Sequence, residues 1–255
     1  MQEPMPNLPP VDPGLAAQPV AAATFTPELL ASLLADGDDE LAAWTLSSAL
    51  AEQGRAAAFD GLLRDAMHLV GERWSSGRWT VAEEHLASQT LLRTLERIRP
   101  PSGPESRIGP LAVLAGVAGE HHGLGLACLD QVLRDDGWSV ANLGPDVPPA
   151  DLARFLARNR ADLLALSASL PDREPAILDA VAAARAARAD RPFPIMLGGT
   201  IVADPAVGDR VDVDFLAGSL VEAARFARTV ADSMPERDPD EALVELDLPE
   251  IDSTA

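Results

Sequence analysis

Imidazole chemistry in this chain has four possible sources: His68, His85, His121 and His122. In Glu120-His121-His122-Gly123-Leu124-Gly125, a carboxylate stands two residues before His122 and a glycine three residues after it. Imidazole is a good ligand for a transition metal, and a carboxylate on its other nitrogen raises its basicity. A glycine removes a Cβ where a bulky ligand must pass close to the backbone. The same loop also reads as a polar connection whose histidines merely cap a helix. A second pair, Glu84-His85, follows Trp74 after nine intervening residues. Alone, Trp74 reads as bundle core and Glu84 and His85 as a solvated face. His68 stands outside both groups and reads as surface or bundle packing. The single cysteine, Cys128, excludes an intramolecular disulfide framework and a cysteine-based zinc site. A reducing cytoplasm is the expected compartment.

The chain has 255 residues, enough for one large domain or two small ones. No apolar run reaches the roughly 18 residues of a membrane span. The first residues, Met1-Gln2-Glu3-Pro4, have neither the positive nor the apolar region of a signal peptide. Forty acids oppose 20 bases, all of them arginine, for a net charge of −20. Such a surface repels phosphate, so direct nucleic-acid binding and attachment to an anionic membrane are not expected. The charge is partly local: from Pro235 to Ala255, eight acids stand against one arginine.

Residues 1–24, rich in Pro and Ala, read as a disordered leader. Thr26-Pro27-Glu28 is a helix start, with an N-cap, a proline at the first helical position and an acid in the first turn. From there to Arg99, apolar residues recur at three and four. The sets are Leu29/Leu30/Leu33/Leu34, Leu41/Trp44/Leu46/Leu50, Leu62/Leu63/Met67/Val70/Trp74 and Leu86/Leu91/Leu92/Leu95. Four helices over residues 25–99 make a bundle. Residues 100–107, beginning Pro100-Pro101-Ser102-Gly103-Pro104, are a linker.

Over 108–233 the pattern changes to short apolar runs alternating with helical stretches. Strands are expected at Leu111–Val117, Trp138–Leu143, Leu163–Ser167, Pro194–Leu197 and Val213–Ala217. Five alternations give a parallel doubly wound sheet. The fold class is α/β with an all-α N-terminal part: a four-helix bundle, then a Rossmann-like (flavodoxin-like) five-stranded parallel sheet. Residues 234–255 read as a disordered acidic tail, with a partner-binding segment as the minor reading. Ligands of such sheets sit at the carboxyl ends of the strands. The loop after the first strand is not GxGxxG, and Leu143-Gly144-Pro145 stands where a ribose-binding acid would be, so a dinucleotide is disfavoured.

Glu120-x-His122-x-x-Gly125 resembles the signature of cobalamin-binding domains. Ser167-Ala168-Ser169-Leu170 and Gly198-Gly199 stand at the strand ends where that family carries a serine motif and a paired glycine. The resemblance covers residues 108–233 and implies that His122 is the lower axial cobalt ligand and Glu120 its partner. It implies that the displaced dimethylbenzimidazole tail of the cofactor passes Gly125, the serines and Gly198-Gly199; whether Ser167 or Ser169 makes the contact stays open. Trp74-x9-Glu84-His85 resembles the bundle motif of cobalamin-dependent photoreceptor regulators. That implies Trp74 above the corrin, with Glu84 and His85 bonding the ribose and adenine of adenosylcobalamin.

Two features depart from those regulators. A helix-turn-helix domain usually precedes their bundle, and here only the leader does, so output is expected through a protein partner or self-association. The residue after the motif tryptophan, a histidine that captures cobalt after photolysis in the best-known members, is Ser75 here. The leading expectation is an adenosylcobalamin light sensor, a binding protein more than an enzyme. A bilin as second chromophore is admitted by the resemblance, but no residue marks its site. The alternatives are a corrinoid carrier of a methyltransferase system and a cobalamin-sensing regulator that does not use light.

Overall fold

The computed structural model describes residues 25–100, 109–235 and 246. The leader, nearly all of the linker and nearly all of the acidic tail lie outside the described residues. The N-terminal part is helical: α1 (Pro27–Ala35), α2 (Asp39–Gln53), α3 (Arg55–Ala58), α4 (Arg64–Ser75) and α5 (Val81–Arg97). Thr26 caps α1 by accepting from the Leu29 N–H, with Pro27 and Glu28 in the first turn. Thr80 and Glu83 form a reciprocal capping box at the start of α5. Helices α3 and α4 are joined without a break by a π-helical turn, Phe59–Leu63, so the expected four-helix count holds.

The apolar sets are buried unevenly. Leu30, Leu33, Leu34, Leu46, Leu63, Val70, Leu91 and Leu95 are core, whereas Leu41 and Trp44 are exposed. Of the α2 set, only Leu46 is fully inside. Ala42, Ala43, Thr45 and Ala49 form the rest of its buried face. Trp44 instead meets Phe25 edge-on, with ring centroids 5.2 Å apart.

The second part alternates β1 (Leu111–Gly116), α6 (Leu124–Asp135), β2 (Ser139–Asn142), α7 (Pro149–Arg158), β3 (Leu163–Ser167), α8 (Glu174–Ala187), β4 (Ile195–Gly198), β5 (Phe215–Ala217) and α9 (Leu220–Asp232). The strand order is β2-β1-β3-β4-β5, and every pair is parallel. This is the flavodoxin-like order, whose direction of winding reverses between β1 and β3. Gly116 pairs with Ser167, Ser167 with Gly198 and Gly198 with Ala217. Small residues therefore line up across the carboxyl edge of four strands, with Gly116 covered by Pro145 and the open room lying over β3–β5.

The molecule is layered. Helices α7 and α8 cover one face of the sheet through Leu152, Leu156, Ile177 and Val181. Helices α6 and α9 cover the other through Leu126, Leu129, Leu133 and Ala227. The bundle lies on the outside of α6 and α9, in one continuous apolar cluster that includes Cys128, Val132 and Ala224. Polar bonds pin this contact. The Gln131 side chain donates to the Leu95 carbonyl at 2.6 Å, and Arg55 donates to Gln131 at 2.8 Å. Asp60, on the π turn, accepts from the backbone N–H groups of Leu220 and Val221 at 2.9 and 2.8 Å. The bundle thus supplies a carboxylate to the N-terminus of a helix in the sheet part, where both N–H satisfaction and the helix dipole favour it. Among the described residues, no helix is long and apolar enough to cross a membrane.

Replacing Asp60 with Ala removes both bonds across this contact. Stability should fall by about 1–2 kcal/mol, the usual cost of a lost helix cap, read as a lower urea midpoint.

Candidate functional site

The loop after β1 is organised around one buried side chain. Glu120 is 1% exposed, the only carboxylate so deeply buried among the described residues. Its Oε1 accepts from the His122 backbone N–H at 2.8 Å and lies 2.5 Å from His122 Nδ1. Its Oε2 accepts from the Ser169 backbone N–H at 2.5 Å. Burial opposes ionisation of Glu120, yet these bonds and the neighbouring imidazole together hold its pKa below the ordinary carboxylate value. An ionised carboxylate only accepts, so the Nδ1 that faces it is the donor, which leaves Nε2 as the nitrogen that can offer a lone pair to a metal. The ring itself is 69% exposed. The result is an imidazole locked in tautomer and orientation, with its other nitrogen turned to an open surface.

The neighbouring β2–α7 loop braces this arrangement. Asp146, at φ 56°, accepts from the Gly119 N–H at 2.7 Å. Val117 and Val147 form an isolated parallel bridge. Asp146 was not singled out from the sequence; the signal for it was the Gly144-Pro145-Asp146 turn. The β3 loop is tied in as well: the Thr200 hydroxyl donates to the Ser169 carbonyl at 2.5 Å.

Below the loop lies a cavity of about 750 Å³ between α4, α6, α9 and the carboxyl ends of β3–β5. Gly125, Ser167, Gly198 and Gly199 all line it. A Cβ built on Gly125 meets nothing within 4 Å, so its lack of a side chain serves open space and not the packing of the protein itself. Gly199 differs: its φ is +94°, and a Cβ there would stand 2.1 Å from the Ala168 carbonyl oxygen. The two serines are also separated. Ser167 faces the cavity wall, whereas Ser169 works through its backbone N–H on Glu120. Leu170 is exposed and is not part of the wall.

The bundle motif is held apart from this cavity. Trp74 is 50% exposed at the end of α4. Glu84 accepts from the Ser88 hydroxyl at 2.8 Å and lies 3.6 Å from His85 Nε2, with the His85 ring mostly exposed. None of the three lines the cavity. What the sequence did not reveal is the bundle's share in the cavity wall: Phe59, Asp60, Arg64 and His68, placed there by the π turn. Only the irregular turn in an otherwise helical pattern could have signalled it. Cys128 also lines the cavity, and burial, with the Asp60 charge adding to it, pushes its thiol up to about 12.

A helical bundle seated on a flavodoxin-like sheet, with a carboxylate-held histidine and a large cavity at the carboxyl ends of β3–β5, has the architecture of a ligand-binding protein. Residues 110–234 match the B12 binding domain family, and residues 28–99 match a second B12 binding domain family. Both described parts of the chain are thus B12 binding domains. It is homologous to the HTH-type transcriptional repressor CarA of Myxococcus xanthus, 36% identical over 143 residues, 55% of this chain and 46% of that protein. The HTH-type transcriptional repressor CarH of the same organism is 34% identical over 164 residues, 63% of this chain and 53% of that protein. The chain spans about half the length of these two relatives. Dimethylamine corrinoid protein 3 of Methanosarcina mazei is 24% identical over 165 residues, 64% of this chain and 98% of that protein. The fold is that of the Methanosarcina barkeri monomethylamine corrinoid protein, with a TM-score of 0.64, 20% identity and coverage of 79% of this chain and 96% of that one.

Two outcomes test this geometry without any ligand. The folded pKa of Glu120 is depressed, so its stabilisation is present above the ordinary carboxylate value and is lost as pH falls through the lower folded value. Glu120→Gln should therefore be less stable than the wild type at neutral pH. The gap between their urea midpoints should shrink below pH about 4.5. Gly199→Ala should cost at least about 2 kcal/mol, because a left-handed backbone and a carbonyl clash coincide there.

Proposed function

We propose that the chain is an adenosylcobalamin-binding light sensor of the cytoplasm that signals through a protein partner or through self-association. The observation that carries the cofactor assignment is the Glu120–His122 pair, with Nδ1 held at 2.5 Å and Nε2 left free on an exposed ring. Among the described residues, no cluster of three or more His, Cys, Asp or Glu side chains could hold a bare metal ion. A metal on His122 would need most of its ligands from a macrocycle, as cobalt has in a corrin. The cavity, open beside Gly125 and floored by small residues, suits a long substituent reaching down from that macrocycle.

When bound, adenosylcobalamin supplies a cobalt–carbon bond that light cleaves. His122 would hold the cobalt from below, and Glu120 keeps the imidazole basic and correctly turned. Gly125, Ser167, Gly198 and Gly199 would accommodate the nucleotide tail. Trp74 would cover the upper face with an apolar plane, and Glu84 and His85 would bond the adenosyl group. Those three sit on a bundle that reaches the sheet part through α6 and α9, so a change at the upper face can be passed on as a shift of the bundle. The homology to CarA and CarH supports this reading, as does the Trp74-x9-Glu84-His85 pattern. A bilin, if one is carried, would be held without a thioether, since Cys128 is buried and its thiol stays protonated at neutral pH.

A second reading is a corrinoid carrier for a methyltransferase partner. It is favoured by the match that spans nearly the whole of a dimethylamine corrinoid protein. A regulator that senses cobalamin without light differs from the first reading only in its photochemistry.

The test is an absorption spectrum of protein loaded with adenosylcobalamin in the dark, repeated after green light, with size-exclusion runs on both samples. A spectral change accompanied by altered elution or partner affinity is expected. Binding without either would favour the carrier or the light-independent sensor. His122→Ala should abolish the histidine-ligated spectrum, and Trp74→Ala should reduce the preference for adenosyl- over hydroxocobalamin. Gly125→Leu should leave the melting temperature within a few degrees of wild type, because the added side chain enters open space, yet it should block cofactor binding.

A further inference from the structure

The 750 Å³ cavity has two basic groups on its wall among the described residues, Arg64 and His68, and both come from the bundle. They lie one turn apart on α4, just beyond the π turn, and so share a face. Neither is engaged in a way that explains its place. The Arg64 side chain is 52% exposed, and its nearest acid, Asp60, is 3.9 Å away, beyond hydrogen-bond range. The Asp60 oxygens are already occupied by the Leu220 and Val221 N–H groups. That carboxylate also fills the N-terminus of α9, where an anion at this end of the sheet would otherwise settle. His68 is exposed on the same wall.

On a chain of net charge −20, two basic side chains on a cavity wall beside Asp60, whose oxygens already bond the α9 N–H groups, suit a singly charged anion. Asp65, exposed on the same wall, would repel a polyphosphate more strongly than a singly charged group. The guanidinium presents paired donors that fit phosphate oxygens, and an imidazole can add an N–H donor beside them. We infer that Arg64 and His68 bind the phosphodiester of the cobalamin nucleotide tail, so that the bundle grips the lower half of the cofactor as well as covering its upper face. This rests on the cobalamin reading above. It gives the bundle a contact with the cofactor that does not involve the upper ligand at all.

The test compares wild type, Arg64→Ala, Arg64→Lys and His68→Ala, all in the dark. Two readouts are used: the phosphorus NMR resonance of bound adenosylcobalamin, and affinities for adenosylcobalamin and adenosylcobinamide, which lacks the nucleotide and its phosphate. Arg64→Ala should weaken adenosylcobalamin binding about tenfold and move the phosphorus resonance toward its free position. His68→Ala should do the same to a smaller extent, Arg64→Lys should recover part of the loss, and cobinamide affinity should not change. Equal weakening toward both corrinoids, or a phosphorus resonance that stays put in Arg64→Ala, would overturn the assignment while leaving the cobalamin reading intact. A wild-type protein that binds neither corrinoid would overturn the cobalamin reading itself.

Discussion

A single buried carboxylate joins the two halves of the switch point. Glu120 reaches from the β1 loop to the backbone of the β3 loop and at the same time fixes the ring of His122. Burying a charged group is costly unless hydrogen bonds replace its water. Here two backbone N–H groups and an imidazole do so, and Glu120 stays ionised more readily than an ordinary carboxylate. The same contacts therefore satisfy the buried charge, align two loops and leave one imidazole nitrogen facing outward. Without that carboxylate, a 69% exposed ring would have no fixed direction.

The surrounding fold converts that local order into a site. A crevice lies over the carboxyl ends of β3, β4 and β5, where Ser167, Gly198 and Ala217 pair in a row of small residues, while Gly116 at the end of β1 is covered by Pro145. Helices α6 and α9 form the crevice wall and also carry the bundle, through one shared apolar cluster. A group held in the crevice therefore lies within reach of both parts of the molecule. Asp60 makes the connection directional as well as apolar, since it bonds the end of α9 from a turn in the bundle. Because that turn is π-helical, it also sets which residues of α4 look into the cavity.

Much of this was legible along the chain, because the forces that shape it are local. Thr26-Pro27-Glu28 starts a helix by capping chemistry, and apolar runs of four to seven residues alternating with helical stretches read as buried parallel strands. The Glu120–His122 spacing is local too: two residues bring a carboxylate back onto the following imidazole within one loop. Trp44 illustrates the limit. It stands two residues from both Ala42 and Leu46, about 200° around the helix, so the face that buries them turns the indole outward. Periodicity marks which residues share a face, and tertiary packing decides which of the faces is the buried one.

The sequence by itself determined the order of elements, the parallel sheet, the carboxylate–imidazole pair and the glycines beside it, since each depends on neighbours a few residues away. Tertiary structure alone decided that Ser169 acts through its backbone while Ser167 faces the cavity. Those contacts join segments about 50 residues apart. It also decided that Gly199 is required by a carbonyl in the β3 loop, whereas Gly125 borders open space. The share of the bundle in the cavity, through Asp60, Arg64 and His68, was equally hidden. It follows from a π turn and a bond to a helix 160 residues away, and no spacing along the chain encodes a distance of that kind.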